Sequence, residues 1–111
     1  VELVDFYPTC SDLVGLPAPN AVQGESLAPI LRDPTATVRD NTALSMNPGK
    51  RSFGLRGRGW AYMSYGGGKA EELYDMSTDP QQFTNIVGNS NYAELLKEAR
   101  AKLQARLSSR N

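Results

Sequence analysis

The chain has 111 residues, and its 12 basic side chains balance 12 acidic ones, so a single compact domain without a strong overall field is the natural expectation. Such a neutral chain has no general attraction for nucleic acid or for an anionic membrane. Histidine is absent and Cys10 is the single cysteine, which excludes a Ser-His or Cys-His pair, an imidazole metal ligand and an intrachain disulfide.

The first segment places apolar side chains at steps of three and four, the spacing of one helical face. These side chains are Leu3, Phe6, Tyr7, Cys10, Leu13 and Val14. Pro8 is tolerated if Asp5 is the N-cap, because the first turn of a helix offers no partner for the missing N–H. We predict a helix from about Asp5 to Val14, with Cys10 as a small buried side chain rather than a nucleophile. Because the chain begins almost in this helix, we expect another segment before it.

Residues 16–40 contain four of the seven prolines and show little periodicity. A short apolar cluster at Leu27, Ile30 and Leu31 predicts one helical turn. A connection of about 25 residues is long for a domain of this size, so we expect an arm that lies over another surface.

Four short strand-like segments follow, each bounded by turn residues. We place them at residues Thr42–Met46, Ser52–Arg56, Trp60–Tyr65 and Glu71–Met76. The glycine-flanked Arg58 joins the second to the third, and the tract from Gly66 to Lys69 joins the last two. That tract is not a phosphate-binding loop, because a strand rather than a helix follows it. Consecutive strands joined by short turns predict an antiparallel meander.

The last segment carries the clearest helical pattern of the chain. Its apolar stripe consists of Tyr92, Leu95, Leu96, Ala99, Leu103 and Leu107. Asn91 and Glu94 fit an N-cap and its capping-box partner. The predicted fold is therefore α+β: a small antiparallel sheet of about four strands, with an amphipathic C-terminal helix packed on one face, preceded by a short helix and a long connecting arm.

The last predicted strand cannot turn all its side chains toward one core, because alternate residues point to opposite faces. We expect Leu73 to face the helix, while Tyr74 and the alternate residues on its side of the strand form a second surface. Asp79, followed by proline, then turns the chain, and Phe83 and Ile86 anchor its path to the last helix.

The most basic stretch of the chain holds four cations within nine residues. They are Lys50, Arg51, Arg56 and Arg58, interleaved with Phe53 and followed by Trp60. Arginine binds sulfate, phosphate or carboxylate through two parallel hydrogen bonds, so Arg51, Arg56 and Arg58 are candidate substrate-binding residues. Solvated strand ends, or ion pairs with another domain, are the alternative. The scattered carboxylates predict no metal site, and no residue is predicted to be catalytic.

Several pieces of the sequence, taken in their order and spacing, carry a family resemblance. They are Asp5 with Pro8-Thr9, Gln23-Gly24 with Ser26-Leu27, Arg56, Glu72-Leu73-Tyr74-Asp75, Asp79-Pro80 and Asn85. This series resembles the C-terminal part of sulfatases of the alkaline-phosphatase superfamily, above all iduronate-2-sulfatase and its bacterial relatives. On this resemblance, residues 1–40 are the last helix of the large domain plus the connecting arm, and residues 41–111 are the C-terminal subdomain.

The resemblance implies a division of labour within one polypeptide. An N-terminal catalytic domain would carry a formylglycine and a calcium ion, whereas Cys10 does not match the formylglycine motif. The present chain would be noncatalytic and inactive alone, supporting that domain and shaping one wall of its substrate cleft. The parent enzyme would hydrolyse sulfate esters, with sulfated carbohydrate as partner, in the periplasm, outside the cell or in a lysosome-like compartment.

Neither a signal peptide nor a membrane span is visible in the sequence, since no basic segment precedes an apolar stretch and no apolar run reaches about 18 residues. Two other functions stay open. One is a stand-alone binding module for sulfated or acidic glycans that uses the strip from Lys50 to Trp60. The other is the C-terminal part of a related phosphatase or phosphonate hydrolase.

Overall fold

The computed structural model describes residues 1–39, 42–47, 49 and 51–109. Contacts group the chain into two units, Val1–Thr42 and Ala43–Asn111. Residues 40 and 41, at which we divide the chain from its sequence, lie outside the described residues, and the assignment of the two parts stays a prediction.

The first unit contains the predicted short helix and the predicted helical turn. A 3-10 turn at Leu3–Asp5 leads into helix α1, Phe6–Leu13, and helix α2 covers Ala28–Arg32. Pro8 lies in the first turn of α1, and a second proline opens α2, positions at which a missing N–H costs no intrahelical hydrogen bond.

The apolar side chains of α1 are exposed rather than buried. Leu3 is 91% exposed, and Phe6, Leu13 and Val14 are exposed as well. Cys10 is also exposed, which corrects the expectation of a buried thiol. The side chains of α1 that are buried are Pro8 and Thr9, because the interior of this unit forms around polar groups next to them.

The second unit opens with the predicted meander. Its strands are β1 (Ala43–Asn47), β2 (Ser52–Gly57), β3 (Trp60–Tyr65) and β4 (Ala70–Asp75), antiparallel and adjacent in chain order. Each strand boundary lies within one residue of its predicted position. The pairing of Gly57 with Trp60 leaves Arg58 and Gly59 as the turn, with Gly59 at φ 80°, a conformation that glycine adopts at little cost.

Helix α3, Ala93–Ser108, covers one face of this sheet. The core consists of four sheet residues and two helix residues: Leu55, Trp60, Tyr62, Leu73, Ala99 and Leu103. Leu55, Tyr62 and Leu73 lie opposite one another on adjacent strands, and alternation places Tyr74 on the other face. Both the α+β fold and the predicted orientation of Leu73 are confirmed.

The loop after β4 completes the outer edge of the sheet. Asn85 Oδ1 accepts a hydrogen bond from the Leu73 backbone N–H at 3.0 Å, and the Ile86 N–H donates to the Leu73 carbonyl oxygen at 2.9 Å. These bonds satisfy edge groups that would otherwise be open to another strand. Ile86 packs against the core as predicted, whereas Phe83 is 85% exposed, so the prediction that it anchors the loop is wrong.

The start of α3 differs from the predicted capping box. Asn89, not Asn91, accepts a backbone hydrogen bond, at 3.0 Å from the Asn91 N–H, and a 3-10 turn at Ser90–Tyr92 precedes the helix. The prediction of an Asn91–Glu94 box is wrong because this extra turn moves the capping position two residues earlier.

Leu73→Ala should lower the free energy of unfolding of the second unit by about 2–5 kcal/mol, because it leaves a cavity in the fully buried core. Urea denaturation followed by Trp60 fluorescence measures this loss. Phe83→Ala is the matched control and should change stability by about 0.5 kcal/mol or less, since its side chain is exposed. Equal losses in the two variants would contradict the assigned core.

Candidate functional site

The three candidate arginines are all exposed, but they do not share one surface. Arg51 lines a cleft on the α3 side of the sheet, together with Phe53. Arg56 alternates with the buried Leu55 on β2 and therefore projects from the opposite face. Arg58 lies in the turn between β2 and β3, and Lys50 lies outside the described residues. The strip proposed from the sequence is thus divided between two faces, while the substrate-binding role of each arginine stays a prediction.

The cleft beside Arg51 has a volume of about 340 Å³. Its lining is contributed by the turn before β2, by β2, β3, the turn after β3 and α3, and comprises Arg51, Phe53, Tyr62, Ser64, Gly67, Arg100, Leu103, Gln104 and Leu107. Tyr62, Ser64 and Leu103 are buried, whereas Arg51, Arg100 and Gln104 are exposed. The cleft therefore combines a partly apolar interior with cationic and amide groups that solvent reaches.

An ion pair at one side of this cleft clamps α3 to the sheet. Arg100 Nε donates to Glu71 Oε1 at 2.8 Å, Arg100 Nη2 pairs with Glu71 Oε2, and the Tyr62 hydroxyl donates to the same carboxylate. The hydrogen bond from Arg100 lowers the pKa of Glu71. Burial, together with the neighbouring Glu71, raises the pKa of Tyr62. Sequence reasoning missed this network because its members are far apart in the chain and share no local pattern.

The opposite face of the sheet carries a different polar group. Glu72 Oε2 accepts a hydrogen bond from the Tyr74 hydroxyl at 3.0 Å and from the Tyr65 hydroxyl at 3.4 Å. Arg56 lies on the same face of the sheet. This second surface is therefore polar and aromatic, as expected for the side chains that Leu73 leaves facing away from α3.

Within the first unit, Asp5 is the centre of a buried ionic cluster. Its side chain is 3% exposed and accepts backbone N–H bonds from Glu2 at 2.8 Å and Glu25 at 3.0 Å, in addition to an ion pair with Arg39. Arg39 also pairs with Glu2, at 2.6 Å between Nη1 and Oε2. Asp5 precedes α1 as predicted, but its side chain does not cap that helix. Asp5 thereby connects the start of the helix to the arm at two places, Glu25 and Arg39.

Two further residues of the resemblance hold the arm in place. Thr9 Oγ1 accepts a hydrogen bond from the Leu27 N–H at 2.9 Å and donates to the Asp5 carbonyl oxygen. A Cβ at Gly24 would lie 1.9 Å from the Val4 carbonyl oxygen, so only glycine permits the close approach of the two backbones. These motif residues have structural roles within this unit.

The described residues contain no group of three or more Cys, Asp or Glu side chains arranged to hold a metal ion. In that part of the chain there is also no helix with the length and apolar character needed to cross a membrane. The polar groups of the described residues are mainly arginines, hydroxyl groups and ion pairs.

Residues 1–109 match the family profile of the C-terminal region of N-sulphoglucosamine sulphohydrolase. The chain belongs to this family. The predicted relationship to the C-terminal part of sulfatases is thereby confirmed, and the match extends over both units.

Individual relatives give the same result. Arylsulfatase K of Xenopus laevis is 32% identical over 95% of this chain, which spans 22% of that protein. A solved 2-O GAG sulfatase is 32% identical with a TM-score of 0.77, over 96% of this chain and 24% of the other. The phosphonate monoester hydrolase of Agrobacterium radiobacter shares the fold at a TM-score of 0.80, with 21% identity over 96% of this chain and 25% of its own. The chain therefore spans about a quarter or less of these larger proteins.

The Asp5 cluster should make the stability of the first unit depend on acid pH. Burial raises the pKa of Asp5, but hydrogen bonds from the Glu25 and Glu2 backbones and from Arg39 outweigh it, so the folded pKa lies below the usual 3.8. The stabilisation is complete above the unfolded pKa of about 3.9 and is lost as pH falls through the lower folded pKa. Amide resonances of Thr9 and Leu27, followed during denaturation, should show this loss, and Asp5→Asn should remove it. A loss of the same size in Asp5→Asn would contradict the assignment.

Tyr62 should ionise above the ordinary tyrosine pKa of about 10, because its phenol is buried and donates to a carboxylate. Glu71→Gln should lower the pKa of Tyr62 toward that ordinary value, since it removes the adjacent negative charge. The ¹³Cζ resonance of Tyr62, followed by NMR during an alkaline titration, measures both effects. Glu98→Gln, on the exposed side of α3, is the control and should leave the titration unchanged.

Proposed function

We propose that this chain is the noncatalytic C-terminal part of a sulfatase that hydrolyses sulfate esters on sulfated carbohydrates. The family to which the chain belongs supports this proposal, as does its 32% identity to a protein described as a 2-O GAG sulfatase. The proposed enzyme is periplasmic, extracellular or located in a lysosome-like compartment.

The principal role proposed for the chain is to support an N-terminal catalytic domain of the same polypeptide. The carrying observation is the exposed apolar surface of the first unit, to which Leu3, Phe6, Leu13, Val14, Leu16 and Leu31 contribute. Leu3 and Phe6 line one cavity of this unit, and exposed apolar surface of this kind is typical of contacts between domains. We propose that the catalytic domain covers this surface, so that the first unit packs against that domain.

The chemistry of hydrolysis is assigned to that catalytic domain. A formylglycine there would supply the nucleophile, and a calcium ion would stabilise the charge of the transferred group. Cys10 does not match the formylglycine motif, and the described residues form no metal-binding cluster, which is the reason for placing neither group on this chain.

Arg56 is proposed to face the substrate cleft of the catalytic domain or to pair with its carboxylates. Its exposed guanidinium lies on the sheet face that α3 does not cover, the face that also carries Tyr74 and Glu72 two strands away. An arginine in this setting can hold a sulfate or a carboxylate through two parallel hydrogen bonds.

A phosphonate or phosphate ester hydrolase is the alternative parent, favoured by the fold shared with a phosphonate monoester hydrolase. The sequence that precedes this chain in its polypeptide separates the two proposals. A formylglycine motif there favours the sulfatase, and its absence favours the alternative.

The whole polypeptide that carries this chain should hydrolyse an aryl sulfate, and the 111-residue chain alone should not. In the whole polypeptide, Arg56→Ala should lower kcat/KM about tenfold or more, because a hydrogen bond to a charged group contributes about 1.5–3 kcal/mol. Lys97→Ala, on exposed α3 surface, is the control and should leave kcat/KM unchanged. Enzyme-like hydrolysis by the isolated chain, or phosphonate hydrolysis without sulfate hydrolysis by the whole polypeptide, would contradict the proposal.

A further inference from the structure

The cleft between the sheet and α3 has one arginine that the fold positions from its backbone. Arg51 lies at φ 48°, a left-handed conformation that non-glycine residues rarely adopt, and its carbonyl oxygen accepts a hydrogen bond from the Gly67 N–H at 3.0 Å. The turn before β2 is thereby joined to the turn after β3. Strained backbone of this kind is concentrated at binding and catalytic sites.

The side chain of Arg51 is positioned as well. A Cβ at Gly67 would lie 3.4 Å from Arg51 Cζ and 3.5 Å from Arg51 Nε, so the guanidinium lies within van der Waals distance of the Gly67 position. Gly67 has φ 74°, which favours glycine. Arg51, one of two arginines that line the cleft, therefore lies beside the turn after β3.

The charges of the described residues around the cleft distinguish Arg51 from Arg100. Arg100 and Glu71 neutralise each other through their two-point ion pair. Among the described residues, Arg51 has no carboxylate within ion-pair distance. An anion that entered the cleft would meet a free guanidinium without first having to break an ion pair, and two-point hydrogen bonding to its oxygens would then add strength.

The remaining lining suits a ligand that is larger than a simple anion. The volume of about 340 Å³ lies at the lower end of the range for small-molecule sites. Phe53 supplies an aromatic surface, and Gln104 supplies an exposed amide that can both donate and accept hydrogen bonds. A sugar ring presents the matching combination of apolar C–H groups and hydroxyl groups.

We propose that the cleft lined by Arg51, Phe53, Arg100 and Gln104 binds a saccharide through a sulfate or carboxylate group held by Arg51. The anionic part of this inference stands on the geometry and charge of the cleft. The choice of a saccharide rests on the proposed function.

The test uses the whole polypeptide and measures how fast phenylglyoxal, a reagent for arginine, modifies each arginine, as mapped by mass spectrometry. The probe is a heparin-derived tetrasaccharide, compared with its desulfated and carboxyl-reduced form and with inorganic sulfate. At about ten times the dissociation constant, mass action leaves about a tenth of the sites free, so modification of Arg51 should fall about tenfold. Arg32, exposed at the end of α2, is the control within the same sample and should be modified at an unchanged rate.

Each other result overturns the proposal in a defined way. An unprotected Arg51, or equal protection of Arg51 and Arg32, would exclude a specific site. Equal protection by the desulfated and carboxyl-reduced tetrasaccharide would exclude recognition of the anionic group, and protection by inorganic sulfate but not by the tetrasaccharide would exclude the saccharide. None of these readouts requires sulfate-ester hydrolysis, so a failure here is distinguishable from a failure of the proposed activity.

Discussion

The packing of α3 on one face of the four-stranded sheet is the constraint on which the second unit depends. Leu55 and Leu73 are buried under this helix, and because side chains alternate along a strand, their burial fixes the opposite orientation of Arg56 and Tyr74. A slip of one residue in β4 would exchange the two sets and expose the core. The same packing brings Arg100 to Glu71 and creates the cleft beside Arg51.

The first unit follows a different principle, because its interior is ionic. Asp5 and Arg39 are buried together, and backbone N–H groups of the arm complete the hydrogen bonding of the carboxylate. Breaking a buried pair by removing one partner usually costs several kcal/mol, so this cluster fixes how the arm leaves the helix. The apolar side chains of α1 are left free for another surface, which agrees with the proposed packing on a catalytic domain.

Two functional surfaces thus arise from one short sheet. The face that carries Arg56 is proposed to meet the catalytic domain or its substrate, and the α3 side offers Arg51 in a cleft. A domain without catalytic residues can therefore still contribute to recognition, since anion binding requires only positioned donors and a free charge. Members of one family can differ in such surfaces while keeping the fold that supports them.

The sequence by itself determined the α+β class, the strand boundaries to within one residue, the orientation of Leu73 and the family, because apolar periodicity and turn residues act locally. The predictions from the sequence were wrong where the outcome depends on contacts made in the folded chain. Cys10 and Phe83 are exposed and Asn91 is not the cap, since burial and capping depend on which residues the fold places beside these side chains. The Asp5–Arg39 pair, the Glu71–Arg100 clamp and the separation of Arg51 from Arg56 were decided only by the tertiary structure. The two ion pairs join residues that are 34 and 29 positions apart, and contacts over such distances leave no local pattern in the sequence.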